Sequence, residues 1–281
     1  MIDLHVHTNK SDGQYAPKEV IAMAADRGVS ALAIADHDTV AGLAEGSGCA
    51  VDFGIAFIPA VEISVEGNRE LHILGYYVDY TSASLLEVCA GFMRSRAQRE
   101  GRIFEYLRSR GVDLSEDMVK RHVTQGTAGR PHFARAMVEA GYVASVQEAF
   151  DRYLGTPEFD AVERIKPSAR DGISAIIEAG GVPALAHPAL LKLGDDELDA
   201  LVSELKEYGL AGVECYYSTH SAGMTKKYLA MADKFGLLAT CGSDFHGELV
   251  KPDINIGDGS RELAEGGERG ILTALKLAAK R

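Results

Sequence analysis

Imidazole and carboxylate side chains recur in short motifs along this chain, and six of its nine histidines lie in or beside them. The motifs read D-L-H-V-H from residue 3, S-D-G from 11, D-H-D from 36, H-I-L-G-Y from 72, A-H-P from 186 and S-D-F-H from 243, with a lone acid at Glu62. Only a fold that brings distant segments together can use them in one place. The pattern therefore predicts a single metal site assembled from most of the chain.

Short apolar runs alternate with amphipathic patterns through most of the sequence. The predicted strands cover residues 2–6, 31–35, 55–65, 71–78, 182–186, 211–215 and 237–241, and the predicted helices cover 17–27, 39–50, 168–179, 195–208, 221–235 and 271–279. Gly67-Asn68 has the composition of a turn and separates the third strand from the fourth. This alternation predicts an α/β fold with a parallel sheet or barrel.

The alternation stops between residues 82 and 154, where helical patterns follow one another without a strand pattern. We expect helices over residues 85–110, 115–122, 131–140 and 146–153. The predicted organisation is a core formed by residues 1–80 and 155–281 and an all-helical insertion, residues 81–154, that serves as a cap over the site.

Almost every candidate ligand lies at or just beyond the carboxyl end of a predicted strand. His5 and His7 are two residues apart, so alternation places both on one face of the first strand. Asp244 and His246 have the same spacing, and His187 directly follows a strand. Binding and catalytic sites of barrels and open α/β sheets form at that edge, whereas scattered structural histidines have no reason to collect there.

The net charge of −12 disfavours binding to duplex nucleic acid. Residues 94–135 differ, because ten Lys/Arg against five Asp/Glu give this segment +5 and leave −17 for the rest. The segment would suit an anionic substrate, although a solvated helix face has the same composition. No apolar run approaches the roughly 20 residues of a membrane span, and the start lacks a signal-peptide pattern. With four cysteines and no C-x-x-C spacing, we expect a cytoplasmic protein with reduced thiols.

The ordered motifs D-L-H-V-H-T, S-D-G, D-H-D-T, Glu62, H-I-L-G-Y, A-H-P and G-S-D-F-H-G resemble the PHP (polymerase and histidinol phosphatase) superfamily of metal-dependent phosphoesterases. The resemblance spans Asp3 to Gly247. Within the superfamily, the helical insertion with G-R-P-H at residues 129–132 resembles the group often labelled TrpH-like. That group includes 3′,5′-nucleoside bisphosphate phosphatases and RNA 5′-end exonucleases. The fold implied is a distorted (β/α)₇ barrel with an all-helical cap insertion.

The resemblance also implies three metal positions. The first would use His5, His7, Glu62 and Asp244, the second Glu62, His72 and His187, and the third Asp12, His37 and His246. Asp12 is a departure, because histidinol phosphatases of the superfamily often have histidine there. A carboxylate favours Mn²⁺, Fe²⁺ or Mg²⁺ over Zn²⁺ relative to an all-imidazole site. We expect two or three divalent ions, with Mn²⁺ ahead of Fe²⁺, Zn²⁺ and Mg²⁺.

Three residues are predicted to act on the substrate. Arg130 is predicted to be a catalytic and substrate-binding residue, since an arginine fork suits a second phosphate or a 5′-phosphate. His132 is predicted to bind substrate, with a helix-start position as its alternative. His220, after another strand end, is predicted to be a phosphate ligand or leaving-group acid. Three acids, Asp3, Asp38 and Glu214, either orient imidazoles or have structural roles.

The predicted function is hydrolysis of a phosphate ester of a small nucleotide, with a nucleoside 3′,5′-bisphosphate as the expected substrate. Neighbouring divalent ions would lower the pKa of a bound water and neutralise phosphoryl charge. The alternatives are 5′→3′ exoribonuclease activity on short 5′-phosphorylated RNA, histidinol phosphatase, and a metal-binding module without catalysis. Asp12 and the G-R-P-H segment argue against the histidinol phosphatase, and the complete ligand set argues against the module.

Elemental analysis of the purified protein is expected to find two or three divalent metal ions per chain, because the motifs supply ligands for that number. The variants His7→Ala and Asp244→Ala should lose phosphate-releasing activity. Retained turnover in both variants would contradict the multi-metal mechanism.

Overall fold

The chain forms two compact units in a computed structural model that describes residues 1–68, 70–123, 128–160, 162, 166–264 and 266–279. Met1–Cys89 and Pro167–Arg281 form the first unit, and Ala90–Lys166 form the second. In its described part the second unit is helical, and its helices pack around a core that includes Ile103, Leu107 and Phe133.

Seven strands form one sheet in the first unit, and they follow one another in the sheet in chain order. Beyond the last strand the chain returns to the end of the first, where the amide of Asp244 donates to the carbonyl of His5 at 2.8 Å. The sheet is therefore nearly closed, and the predicted seven-stranded α/β barrel is confirmed. The strands are β1 (Ile2–Val6), β2 (Ala31–Ile34), β3 (Ala56–Ser64), β4 (His72–Tyr76), β5 (Val182–Leu185), β6 (Gly212–Tyr217) and β7 (Leu238–Gly242).

One strand departs from the predicted parallel arrangement. β4 runs antiparallel to both β3 and β5, whereas the other neighbouring pairs are parallel. The chain turns at Gly67, whose φ of 108° is in the region that favours glycine, and the connection is too short for a parallel crossover. As a result the first residue of β4, His72, lies at the same edge as the carboxyl ends of the other strands.

Helices follow most strands, and most begin and end within two residues of the predicted limits. α2 begins at Leu43 rather than at residue 39, because His37 forms a parallel bridge with Glu62 and the intervening loop is not helical. No helix among the described residues is long and apolar enough to cross a membrane. The helices are α1 (Pro17–Asp26), α2 (Leu43–Asp52), α3 (Ala83–Ser109), α4 (Glu116–Lys120), α5 (Arg130–Glu139), α6 (Val146–Ala149), α7 (Pro157–Asp160), α8 (Ala169–Glu178), α9 (Asp195–Glu207), α10 (Ala222–Phe235) and α11 (Gly267–Ala278).

The interior of the barrel changes from apolar to polar along its strands. In β3 the inward positions are Ile58 and Ala60, which belong to the apolar core, followed by Glu62 at the carboxyl end. In β1 a shift of pairing register between Asp3 and Val6 changes the alternation, so that His5 turns inward after the core residue Leu4. The core therefore ends where the polar site begins.

The close approach of β7 to β1 leaves no room for a side chain at Gly242. A Cβ there would overlap His5 and lie 2.6 Å from Glu214 Oε1. We expect Gly242→Ala to lower the free energy of unfolding by about 1–3 kcal/mol through overpacking, as measured by denaturant unfolding with chelator present. Gly48→Ala is the matched control, because a Cβ at this helical position meets nothing within 4 Å. Equal stability of the two variants would contradict this account of barrel closure.

Candidate metal centre

Glu62 is buried at the middle of the predicted ligands. Five imidazole rings, contributed by the ends of four strands, surround its two carboxylate oxygens. Oε1 lies 3.1 Å from His72 Nδ1 and 2.9 Å from His187 Nε2, and Oε2 lies 2.9 Å from His37 Nδ1, 3.2 Å from His7 Nε2 and 3.3 Å from His5 Nε2. A carboxylate in this position can bridge cations on its two sides.

Asp244, just beyond the end of β7, faces His5 and His7. Its Oδ1 lies 3.3 Å from His7 Nε2 and 3.7 Å from His5 Nε2, while the two Nε2 atoms are 3.1 Å apart. Ligand atoms that all lie about 2.1 Å from one ion are separated from one another by about 3.0–3.4 Å. With Glu62 Oε2, these atoms therefore have nearly the spacing of ligands around a single divalent cation.

A further group of predicted ligands lies on the other side of the His7 ring. It includes Asp12, whose side chain is exposed. Asp12 Oδ1 is 3.3 Å from His246 Nε2 and 3.8 Å from His7 Nδ1, and Asp12 Oδ2 is 3.8 Å from His37 Nε2. This group contains the three residues predicted for the third ion, and His7 is an additional neighbour. The centre is thus continuous, because His7 and His37 have ring nitrogens near both groups.

All nine predicted ligands come together in this centre, although they group differently from the sets that the resemblance implied. In each group the ligand atoms lie within 4.8 Å of one another: His7, Asp12, His37 and His246; His5, His7 and Asp244; His5, Glu62 and His187; and His37, Glu62 and His72. His72 thus joins His37, and His187 joins His5. Which ligand serves which ion remains a prediction.

Several buried polar atoms of the centre make no hydrogen bond within the described part of the chain. They are His7 Nδ1, His187 Nδ1, and the pair His37 Nδ1 and Glu62 Oε2, which lie 2.9 Å apart without the geometry of a hydrogen bond. Such atoms are costly in a protein interior unless something else satisfies them. Imidazole and carboxylate are the donors that Mn²⁺, Fe²⁺ and Zn²⁺ accept. The donor set therefore fits bound divalent cations.

Two groups of the centre, His7 and Glu62, have pKa shifts that suit a bound cation. Burial, together with His246 and His37, lowers the pKa of His7 to about 4, so its ring is neutral at neutral pH and can bind a metal. Burial alone would raise the pKa of Glu62, but His37, His5 and His72 hold it well below its usual value. The centre thus presents an ionised carboxylate and a neutral imidazole side by side.

Glu214 in β6 positions two of the histidines. Its Oε1 accepts from His5 Nδ1 at 3.0 Å, and its Oε2 accepts from the backbone amide of His187 at 2.8 Å. Because a carboxylate accepts, the Nδ1 proton of His5 is donated to Glu214, and this contact fixes the ring with Nε2 facing Glu62. The sequence left the role of Glu214 open, and the structure shows that it orients a predicted ligand.

Three buried aspartates hold the loops that carry the ligands. Asp3 and Asp38 do so by binding backbone amides, which agrees with the structural role that the sequence left open for them. Asp3 accepts from the amides of His5, Ser243 and Gly257. Asp36 accepts from the amide of Thr8 and the hydroxyl of Ser11, and Asp38 accepts from the amide of Ser64. These contacts fix the ends of β1, β2, β3 and β7 relative to one another.

The backbone is strained at three of the strand ends. Asp38, His187 and Asp244 have φ values of 57°, 26° and 58°, in the left-handed region that non-glycine residues rarely adopt. Conformations of this kind cost free energy and cluster at functional sites, where the surrounding contacts enforce them. Here they shape the loops that carry His37, His187 and Asp244.

None of the three predicted substrate residues belongs to these ligand groups. Arg130 and His132 are in the first turn of α5, in the second unit, and His132 Nδ1 accepts from the amide of Gly129 at 2.8 Å, a helix-start contact. His220 is buried and donates from Nδ1 to the carbonyl of Cys215 at 3.0 Å. Burial lowers the pKa of His220. The substrate contacts of all three residues remain predictions.

Two contacts to Asp244 escaped the sequence analysis. Its Oδ2 accepts from the hydroxyl of Tyr217 at 2.7 Å and from Lys251 Nζ at 2.5 Å. Neither residue stands in a histidine or acid motif, so spacing gave no signal for them. Tyr217 could have been suspected only because it ends a strand at the same edge of the barrel.

This fold and this centre define a metal-dependent phosphoesterase. The chain belongs to the PHP family, whose domain model matches residues 3–156. The predicted family and the predicted class of phosphoric ester hydrolase are thereby confirmed.

Two of the similar proteins carry different activities. A 3′,5′-nucleoside bisphosphate phosphatase of Chromobacterium violaceum is 34% identical over 247 residues, 87% of each chain. A 5′-3′ exoribonuclease of Haemophilus influenzae is 32% identical over 245 residues, 87% of this chain and 89% of the relative. A solved structure of an amidohydrolase from C. violaceum, with bound sulfate and no metal, is 34% identical, covers 87% of each chain and has a TM-score of 0.74.

Removing the carboxylate of Glu214 is expected to weaken metal binding. In Glu214→Gln the amide cannot accept from both His5 and the His187 amide in their present arrangement, and loss of such an orienting contact costs about 10- to 100-fold in metal affinity. Equilibrium dialysis with Mn²⁺ and elemental analysis would measure the change. Glu204→Gln is the control, since Glu204 is an exposed carboxylate that accepts a hydrogen bond from the Tyr208 hydroxyl. An unchanged dissociation constant in Glu214→Gln would exclude the positioning role.

Proposed function

We propose that the protein removes one phosphate from a nucleoside 3′,5′-bisphosphate and releases a nucleoside 5′-monophosphate. The phosphate-ester hydrolysis in this proposal rests on the cluster of nine imidazole and carboxylate residues that includes Glu62. Neighbouring cations suit phosphate monoester hydrolysis, which is among the slowest uncatalysed reactions. The bisphosphate phosphatase of C. violaceum supports the choice of substrate, and so does a relative that binds sulfate, an analogue of phosphate.

We assign two or three divalent ions to the centre, with Mn²⁺ as the expected metal. Bound ions would lower the pKa of a coordinated water and neutralise the charge of the phosphoryl oxygens. Glu62 would bridge two of the ions, because its two oxygens contact different histidines. Asp244 would hold the ion shared by His5 and His7, and Asp12 would complete the third position with His37 and His246.

The remaining predicted residues would contact the substrate. Arg130 would bind the phosphate that is not hydrolysed through its planar fork of donors, with His132 beside it. His220 would contact the phosphoryl group or give a proton to the leaving oxygen. It would need to take up a proton first, because its low pKa favours the neutral ring. We place the protein in the cytoplasm and expect neither duplex DNA nor membranes as partners.

One alternative has a specific observation in its favour. The 5′-3′ exoribonuclease of H. influenzae is almost as similar as the phosphatase, so short 5′-phosphorylated RNA is the second candidate substrate. The positive segment 94–135 would suit a short single strand. Histidinol phosphate and a purely metal-binding role remain as outcomes of the test.

Phosphate release from adenosine 3′,5′-bisphosphate and from histidinol phosphate would be compared with mononucleotide release from a short 5′-phosphorylated RNA, each with the Mn²⁺-loaded protein. The bisphosphate is expected to have the highest kcat/KM, by at least about 10-fold, because two phosphates offer two points of binding. Chelation should abolish the activity. A preference for RNA would establish the exoribonuclease activity. If no phosphoester were hydrolysed, the alternative of a metal-binding module without catalysis would be supported.

A further inference from the structure

Lys251 ends a short turn that begins immediately after the ligand His246. Gly247 opens the turn with a φ of 96°, and the amide of Lys251 donates to the carbonyl of Gly247 at 2.8 Å. The side chain of Gln14 accepts from the amide of Leu249 at 3.0 Å, which ties the turn to the loop that carries Asp12. The turn is therefore fixed at both ends beside the metal centre.

The carboxylate of Asp244 divides its two oxygens between different partners. Oδ1 faces His5 and His7, where a cation would bind. Oδ2 accepts from the buried hydroxyl of Tyr217 and from the ammonium group of Lys251. The Lys251 side chain is 33% exposed, so it extends from solvent to the carboxylate.

We propose that Lys251 is the counter-ion of Asp244 in the metal-free protein and binds a phosphate oxygen of the substrate once metal is present. A divalent cation on Oδ1 would repel the ammonium group on Oδ2, because both cations share one carboxylate. Lysine has a flexible stem that lets its charge move by several ångströms, and its ammonium is a common phosphate ligand. A phosphoryl group at the centre would supply the nearest new anion.

Tyr217 should support metal binding, whereas Lys251 should compete with it. Its hydroxyl is neutral and buried, and it donates to Oδ2 without competing with a cation for charge. It therefore holds Asp244 with Oδ1 directed toward His5 and His7 in both states. Removal of Tyr217 and removal of Lys251 should affect metal affinity in opposite directions, although both residues contact the same oxygen.

The first test measures Mn²⁺ binding by equilibrium dialysis without substrate. Lys251→Met should lower the dissociation constant about 3- to 10-fold by removing a competing cation, whereas Tyr217→Phe should raise it by a similar factor. Lys227→Met is the matched control, since Lys227 pairs with Asp195 between α10 and α9. Weaker Mn²⁺ binding in Lys251→Met would overturn the counter-ion role.

The second test measures binding of inorganic phosphate to the Mn²⁺-loaded protein by calorimetry. Lys251→Met should weaken phosphate binding about 10-fold, and Lys251→Arg should restore most of it. Unchanged phosphate binding in Lys251→Met, or failure of Lys251→Arg to restore it, would overturn the phosphate role. This inference rests on the proposed function only in requiring a phosphate-bearing substrate. Neither measurement uses nucleotide turnover, so a wrong choice of nucleotide would leave both results interpretable.

Discussion

The interaction on which the centre depends is the burial of one carboxylate, Glu62, among five imidazole rings. An ionised carboxylate in a protein interior is strongly unfavourable unless positive charge surrounds it. Here the rings come from β1, β4 and the loops after β2 and β5, so no single segment can provide the compensation. The barrel must close before the charge can be balanced. The cluster of imidazole and carboxylate groups therefore forms only in the folded barrel.

Other contacts in the first unit fix the positions of the strand ends when the barrel closes. Apolar side chains fill the barrel interior up to the edge where the polar site begins. At that edge a register shift in β1 turns His5 and His7 inward. Asp3 then joins the ends of β1 and β7 through backbone amides, and Glu214 connects His5 with the loop after β5. These acids bind no predicted ion. They hold strand ends at separations at which ligand atoms can share a cation.

The sequence predicted which imidazole and carboxylate side chains come together, because metal-ligand chemistry leaves a local pattern. His-x-His at a strand end and Asp-x-His after another are readable without a structure, and strand alternation assigns them to one edge. The direction of β4 and the partners of Asp244 left no such pattern. They depend on how distant segments pair, and Tyr217 and Lys251 are ordinary residues until Asp244 is placed beside them. Glu214 was visible as an acid in an apolar strand, but its two partners were not.

The same reasoning explains why the centre does not identify its substrate. Both named relatives act on phosphoric esters of nucleotides, and their identities to this chain, 34% and 32%, are nearly equal. A metal centre acts on the phosphoryl group, which is common to both substrates, so its ligands do not discriminate between them. Discrimination must come from contacts with the rest of the substrate. An unpaired phosphate, a base or a second nucleotide offers such contacts, and each correct one adds a few kcal/mol at most. Specificity in this fold is therefore a property of residues outside the nine predicted ligands.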